Sequence, residues 1–336
     1  MSERFLSHEG FRDLTQNLAR DGFCVRAPCQ QAPGDFLFAE VGEDFALADG
    51  YPNSIMPPGE AFYPQEEEIF SYAPGGASVK PTLPDHQPIA LVGVRPCDLA
   101  GIVLMDRFFL SDVIYERYRL RRKNSLVIVL DCTTPCKKGF CLDTGTGPLA
   151  REGFDAALFP VSDGFIVRDF SRKAENHFKI LAPARPEHLK TLEGFVSRLP
   201  GEFSSRIPGS QAGFDSEPPA KSSLAWPYLA RRCFSCGGCC YICPTCYCHN
   251  TFERDGSFIR ERDSCLLSGY HWLTGGGSLR PTGEERLQYR KECKLSGAIH
   301  GKRMGRKPCV GCGRCSWTCI GYATMKAYFG KKEALQ

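Results

Sequence analysis

Apolar residues Phe5, Leu6, Phe11, Leu14 and Leu18 recur at helical spacing. The pattern predicts an amphipathic helix over residues 5–20, stopped at Arg20-Asp21-Gly22. Ile89–Val94 and Leu126–Leu130 are short runs rich in β-branched residues without polar alternation, as in strands covered on both faces of a parallel sheet. Two alternating segments meet at Ser162-Asp163-Gly164, which predicts a hairpin over residues 159–168. Leu189, Leu192, Phe195, Val196 and Leu199 place a further helix over residues 186–199. Residues 1–199 therefore read as an α/β domain with a mostly parallel sheet. Periodicity then stops. Pro, Gly and Ser dominate residues 200–225, which read as a linker. A short helix over residues 226–232 opens the remaining segment, residues 226–336.

Composition changes this picture in one respect only. The chain has 336 residues, with 42 Lys and Arg against 38 Asp and Glu, a net charge of +4. Both signs are interspersed, so nucleic-acid binding is not expected. No run of eighteen apolar residues suggests a membrane span, and the first residues carry no export signal. A cytoplasmic location is the expectation. Against that background 19 cysteines are many, and 13 of them fall between Cys233 and Cys319. In a reducing compartment such density points to metal ligation or redox chemistry rather than disulfides.

Cys233, Cys236, Cys239 and Cys243 stand at C-x2-C-x2-C-x3-C spacing and are followed by Pro244; Cys309, Cys312, Cys315 and Cys319 repeat it. Three cysteines on one tight loop reach three irons of a [4Fe–4S] cubane, and the fourth points to a neighbouring cluster. The first cluster is thus assigned Cys233, Cys236, Cys239 and Cys319. The second takes Cys309, Cys312, Cys315 and Cys243. Gly237, Gly238, Gly311 and Gly313 would let backbone N–H groups approach the sulfurs. Zinc sites pair C-x2-C units across longer gaps and do not match. Two irregularities stand out: Ile320 replaces the usual Pro after the last cysteine, and Cys240 adjoins Cys239 as a rival ligand. Residues 226–336 are accordingly expected to form a mainly helical, ferredoxin-like dicluster domain.

Cys97 and Cys132 follow the two predicted parallel strands, at the ends where open α/β sheets gather ligands, and Cys136 and Cys141 lie just beyond. Together they are expected to hold a third [4Fe–4S] cluster; the competing reading is buried core thiols, with Asp98 near a helix N-terminus. Cys246, Cys248 and Cys265 fit no cubane spacing, and Cys24, Cys29 and Cys293 read as ordinary thiols. The glycine-rich stretches at 144–148 and 275–277 complete no phosphate-binding motif. His249 and His271 form no metal-binding pair. No catalytic residue is assigned.

Cys243-Pro-Thr-Cys246-Tyr-Cys248, Asp263-Ser-Cys265 and the stretch from Arg280 to Arg290 resemble a family of 4Fe–4S dicluster subunits. It includes the dicluster subunit of anaerobic sulfite reductase and the beta subunit of cytoplasmic sulfhydrogenases. Residues 64–70, Gly93-Val-Arg-Pro-Cys97-Asp98 and residues 140–148 extend the resemblance over roughly residues 60–320. It implies an electron conduit between a flavin subunit that meets NAD(P)H and a catalytic partner, a NiFe hydrogenase or a siroheme sulfite reductase. The family pattern has a cysteine two residues before Cys141, where this chain has Gly139. The alternative function is a cluster-based catalyst of disulfide or sulfur reduction in its own right.

Overall fold

The computed structural model describes residues 4–42, 45, 47, 50–73, 78–84, 87–178, 181–203, 207, 218 and 220–332. The chain lays down β1 (Arg4–Ser7), a helix (His8–Arg20) and the hairpin of β2 (Cys24–Ala32) and β3 (Asp35–Glu40). After β4 (Glu66–Tyr72) and β5 (Val79–Pro81) come β6 (Ile89–Val94), the helix Pro96–Leu110 and β7 (Leu126–Leu130). β8 (Ala156–Val161), β9 (Gly164–Phe170) and β10 (Ala182–Pro183) follow. Eight of these strands form one sheet in the order β10-β1-β9-β8-β7-β6-β2-β3.

Successive side chains of its central strands serve opposite layers, as a pleated strand dictates. Leu126, Ile128 and Leu130 join the core under the helix His8–Arg20, while Val127 and Val129 join the core under the helix Pro96–Leu110. That two-sided burial explains the unbroken apolar runs in the sequence.

The sheet is mixed rather than mostly parallel. β2–β6, β6–β7 and β7–β8 are parallel; β2–β3, β8–β9, β1–β9 and β1–β10 are antiparallel. The tight turn at Ser162-Asp163-Gly164 makes β9 antiparallel to β8, and β1 then takes the slot beside β9. For the same reason residues 5–7 are strand, not helix. Ser7 ends β1 and caps the helix, its hydroxyl accepting from the Gly10 N–H at 3.0 Å. The helix predicted to end at residue 199 runs over Pro186–Glu202, and most of the predicted linker lies outside the described residues.

A second, four-stranded antiparallel sheet has the order β11-β12-β4-β5, with β11 (His249–Arg254) and β12 (Ser257–Arg262). It joins residues 66–81 to the cysteine-rich part of the chain, which carries the β11–β12 hairpin beside its helices. Glu67 of β4 pins this sheet to the helix Glu116–Lys123, accepting from Tyr115 and Arg121 at 2.7 Å each and from Arg260 of β12 at 3.2 Å. Although burial opposes ionisation, the Tyr115 hydrogen bond and Arg121 hold its carboxyl below the usual range. Among the described residues no helix is long and apolar enough to cross a membrane.

Candidate metal centres

The two cysteine motifs fold alike because their glycines fall at the same place. Gly237 (φ 79°) and Gly313 (φ 78°) are left-handed, and each turns the chain into a short helix, Gly238–Tyr241 and Arg314–Thr318. The third cysteine of each motif, Cys239 or Cys315, sits in that helix, and the two helices pack together. Gly238 lies at the contact, where a Cβ would collide with Thr318. The Ser235 N–H donates to Cys233 Sγ at 3.4 Å, and the Gly311 N–H serves Cys309 likewise. Such bonds stabilise thiolate sulfur.

Electrostatic neighbours separate the thiols into groups. Cys233 lies with Cys239 and Cys319; Cys309 lies with Cys315, Cys312 and Cys243. The groups adjoin, since Cys315 also neighbours Cys239. Cys236 is exposed, next to exposed Phe234.

Cys97, Cys132, Cys136 and Cys141 line one cavity, together with Gly139, Phe140, Gly311 and Cys312. Cys97 opens the helix that follows β6, Cys132 lies just after β7, and the 136–141 loop closes the cavity. A Cβ at Gly139 would sit 3.9 Å from Cys136 Sγ, so this thiol fills the space beside the position where the family pattern has cysteine. Asp98 does not cap its helix. Its carboxylate takes two hydrogen bonds from Arg314, at 2.5 and 2.9 Å, in a pair almost fully buried.

This cavity abuts the second motif. Phe140 N–H donates to Gly311 O at 2.7 Å, Thr146 Oγ1 to Val310 O at 2.7 Å and Asn53 Nδ2 to Cys312 O at 3.0 Å. At Gly311 and Gly313 a Cβ would run into the backbone of Phe140 and Lys138. Cys97 and Cys312 are electrostatic neighbours across the seam.

Four more cysteines form a row whose grouping the spacing gave no sign of. Cys240 Sγ lies 3.9 Å from Cys265 Sγ; Cys240 also bonds to Cys246, and Cys265 to Cys248. Cys24, Cys29 and Cys293 join none of these groups. His271 is buried, its ring bonding the Cys265 carbonyl at 2.8 Å, and His249 is exposed.

Burial pushes the Cys141 and Cys312 thiols up to about 12, and raises Cys97, Cys132, Cys309 and Cys315 as well. A hydrogen bond with Cys246, and then burial, takes Cys243 up to about 11. Cys239 goes the other way, lowered by a hydrogen bond from Cys240. Most of these thiols thus stay protonated unless a metal displaces the proton, which is how thiolate sites couple binding to proton release. Buried cations already stand beside them. Arg95, 4% exposed, neighbours Cys132, Cys136 and Cys97, and its Nε meets no acceptor. Arg290, 2% exposed, neighbours Cys246, Cys240, Cys243 and Cys239, and its Nε and Nη1 meet none. Guanidinium N–H groups left without acceptors among thiols fit a site built for an anionic thiolate-bound group. Among the described residues no three His, Cys, Asp or Glu converge to hold a single ion. Cubane ligands need not converge, because each binds a different iron.

Repeated cysteine loops, cradled by backbone N–H groups and buried cations, define an iron–sulfur protein of the dicluster class. A family model for the 4Fe-4S dicluster domain matches residues 232–323. Sulfhydrogenase 2 subunit beta of Pyrococcus furiosus is 30% identical over 294 residues, covering 84% of this chain and 85% of that protein. The chain belongs to the 4Fe–4S dicluster subunit family in which the sulfhydrogenase beta subunit falls. No solved structure matches it.

Proposed function

We propose that this chain is the cytoplasmic electron-transfer subunit of a hydrogenase-type complex, standing between a flavin subunit that meets NAD(P)H and a NiFe catalytic subunit. The hydrogenase branch is preferred over a sulfite reductase because the relative is named as a sulfhydrogenase subunit. The serial contact of three cysteine groups carries the reading. Cys233, Cys236, Cys239 and Cys319 would hold one [4Fe–4S] cluster, and Cys309, Cys312, Cys315 and Cys243 the second. Cys97, Cys132, Cys141 and, in place of the residue at Gly139, Cys136 would hold a third. Such clusters supply one-electron chemistry when bound. The protein's part is to keep the groups adjacent, through Cys315 beside Cys239 and Cys97 beside Cys312. One end of the series reaches the surface at Cys236, and exposed Trp317, Ile320 and Tyr322 flank Cys319 in the chain. Exposed apolar clusters of this kind are where partners dock. Residues 1–199 and 226–336 are read as the two domains of the chain.

Iron and sulfide analysis with EPR on the anaerobically purified, dithionite-reduced chain tests this. About twelve irons are expected, four per cubane, and the double variant C97S/C132S should hold about eight. Eight irons in the unaltered chain would remove the third site, and none would overturn the reading.

A further inference from the structure

The helix Gly283–Leu295 begins with a capping box, Thr282 Oγ1 accepting from the Glu285 N–H at 3.2 Å and Glu285 accepting from the Thr282 N–H at 2.9 Å. Its buried face is unusual. Leu287, Arg290, Lys291 and Lys294 fall at i, i+3, i+4 and i+7, the stripe a helix normally gives to apolar core residues, and the three cations are 2%, 2% and 3% exposed. None makes an ion pair with a carboxylate among the described residues. Arg290 Nη2 donates to Cys239 O at 2.8 Å, Lys291 Nζ to Ala323 O at 2.7 Å, and Lys294 Nζ to Thr245 O at 2.6 Å and its Oγ1 at 3.0 Å. The charges they face are sulfur. Lys294 neighbours Cys246 and Cys243, whereas Lys291 neighbours Cys315, assigned to the second cluster, and Cys239 and Cys319, assigned to the first. Carbonyl partners satisfy N–H groups but do not neutralise charge, and a buried cation without a counter-ion is strongly unfavourable.

Resting on the reading that the two motifs hold clusters, we infer that Arg290, Lys291 and Lys294 are the fixed counter-charge of the pair, and that Lys291 sets the reduction potential of both. Each added electron increases negative charge in a low-dielectric interior, where a nearby ammonium favours the reduced form. Lys291, like Arg290 through Cys239 and Cys243, is flanked by ligands assigned to both clusters, and at Cys315 it is the stronger of the two, so its charge is shared between them. It acts on the clusters through its charge and is not one of their assigned ligands.

The test is an EPR-monitored redox titration of the full chain, purified anaerobically, comparing wild type with Lys291→Met and Lys291→Arg. With iron content unchanged, K291M should lower the reduced-to-oxidised ratio of both C-terminal clusters about tenfold at fixed ambient potential, a shift of about 59 mV for one electron. K291R should restore the wild-type midpoints. Unchanged midpoints in K291M, or K291R behaving like K291M, would overturn the inference. If K291M loses iron, Lys291→Gln keeps a donor for Ala323 O and carries the same test: lowered midpoints support the assignment and unchanged ones overturn it. Wild-type protein lacking iron would instead sink the cluster reading beneath it.

Discussion

Asp98 follows Cys97, and its partner Arg314 lies between Cys312 and Cys315, so one buried ion pair ties the N-terminal thiols to the second motif. Arg314 also donates to Ser54 O at 2.8 Å and Ser54 Oγ at 3.1 Å. Breaking a pair this deep leaves an uncompensated guanidinium and costs about 3–5 kcal/mol. Asp98→Asn should therefore lower the stability of the protein by that order in chemical denaturation. His300 makes a prediction about pH. Its ring lies 2.8 Å from the Tyr247 hydroxyl, which stacks on Phe108. Burial, aided by Lys294 and Arg303, lowers its pKa from 6.5 to about 4. Between those values the unfolded chain binds the extra proton, so stability contributed by neutral His300 is full above about pH 6.5 and lost as pH falls toward 4. Urea midpoints measured across this window should slope in wild type and slope less in His300→Gln.

At the scale of elements, what the sequence discloses and what it hides follow from the range of the interactions. Leu126–Leu130 is legible as a doubly covered strand because its burial is written into five consecutive apolar residues. The hairpin at Ser162-Asp163-Gly164 is legible because its turn is local. Residues 5–7 are not, since Leu6 suits either a helix or a strand and only the slot between β9 and β10 decides. The cysteine spacing marks the metal motifs; the gathering of Cys240, Cys246, Cys248 and Cys265 depends on β11 and β12, whose place no local pattern gives. Arg290, Lys291 and Lys294 are readable in principle. Cations at core positions of a helix headed by Thr282-x-x-Glu285 signal a buried anion, but only once their face is known to be buried.

At the scale of the molecule the two regions share a sheet rather than a simple seam. Phe70 of β4 stacks on Phe258 of β12 at 4.8 Å, and Arg260 reaches Glu67 across the same pairing. A fragment comprising residues 226–336 would leave the β12 edge open and Arg260 buried without its carboxylate. Reconstituted anaerobically, it should bind less iron than the same region of the full chain and should self-associate in sedimentation velocity. A monomeric fragment holding eight irons would show that the metal motifs fold without β4.

The sheet shared by β4 and β12 also constrains the order of events during synthesis. Residues 66–72 leave the ribosome roughly 190 residues before their partner, a wait of about 10–40 s at synthesis rates of about 5–20 residues per second. Throughout that interval one edge of β4 is an unpaired template. Glu66, Glu67 and Glu68 lie in succession on it, and like charges side by side on an open edge repel a second nascent copy. The carboxylate that later anchors Arg260 thus serves first as a guard.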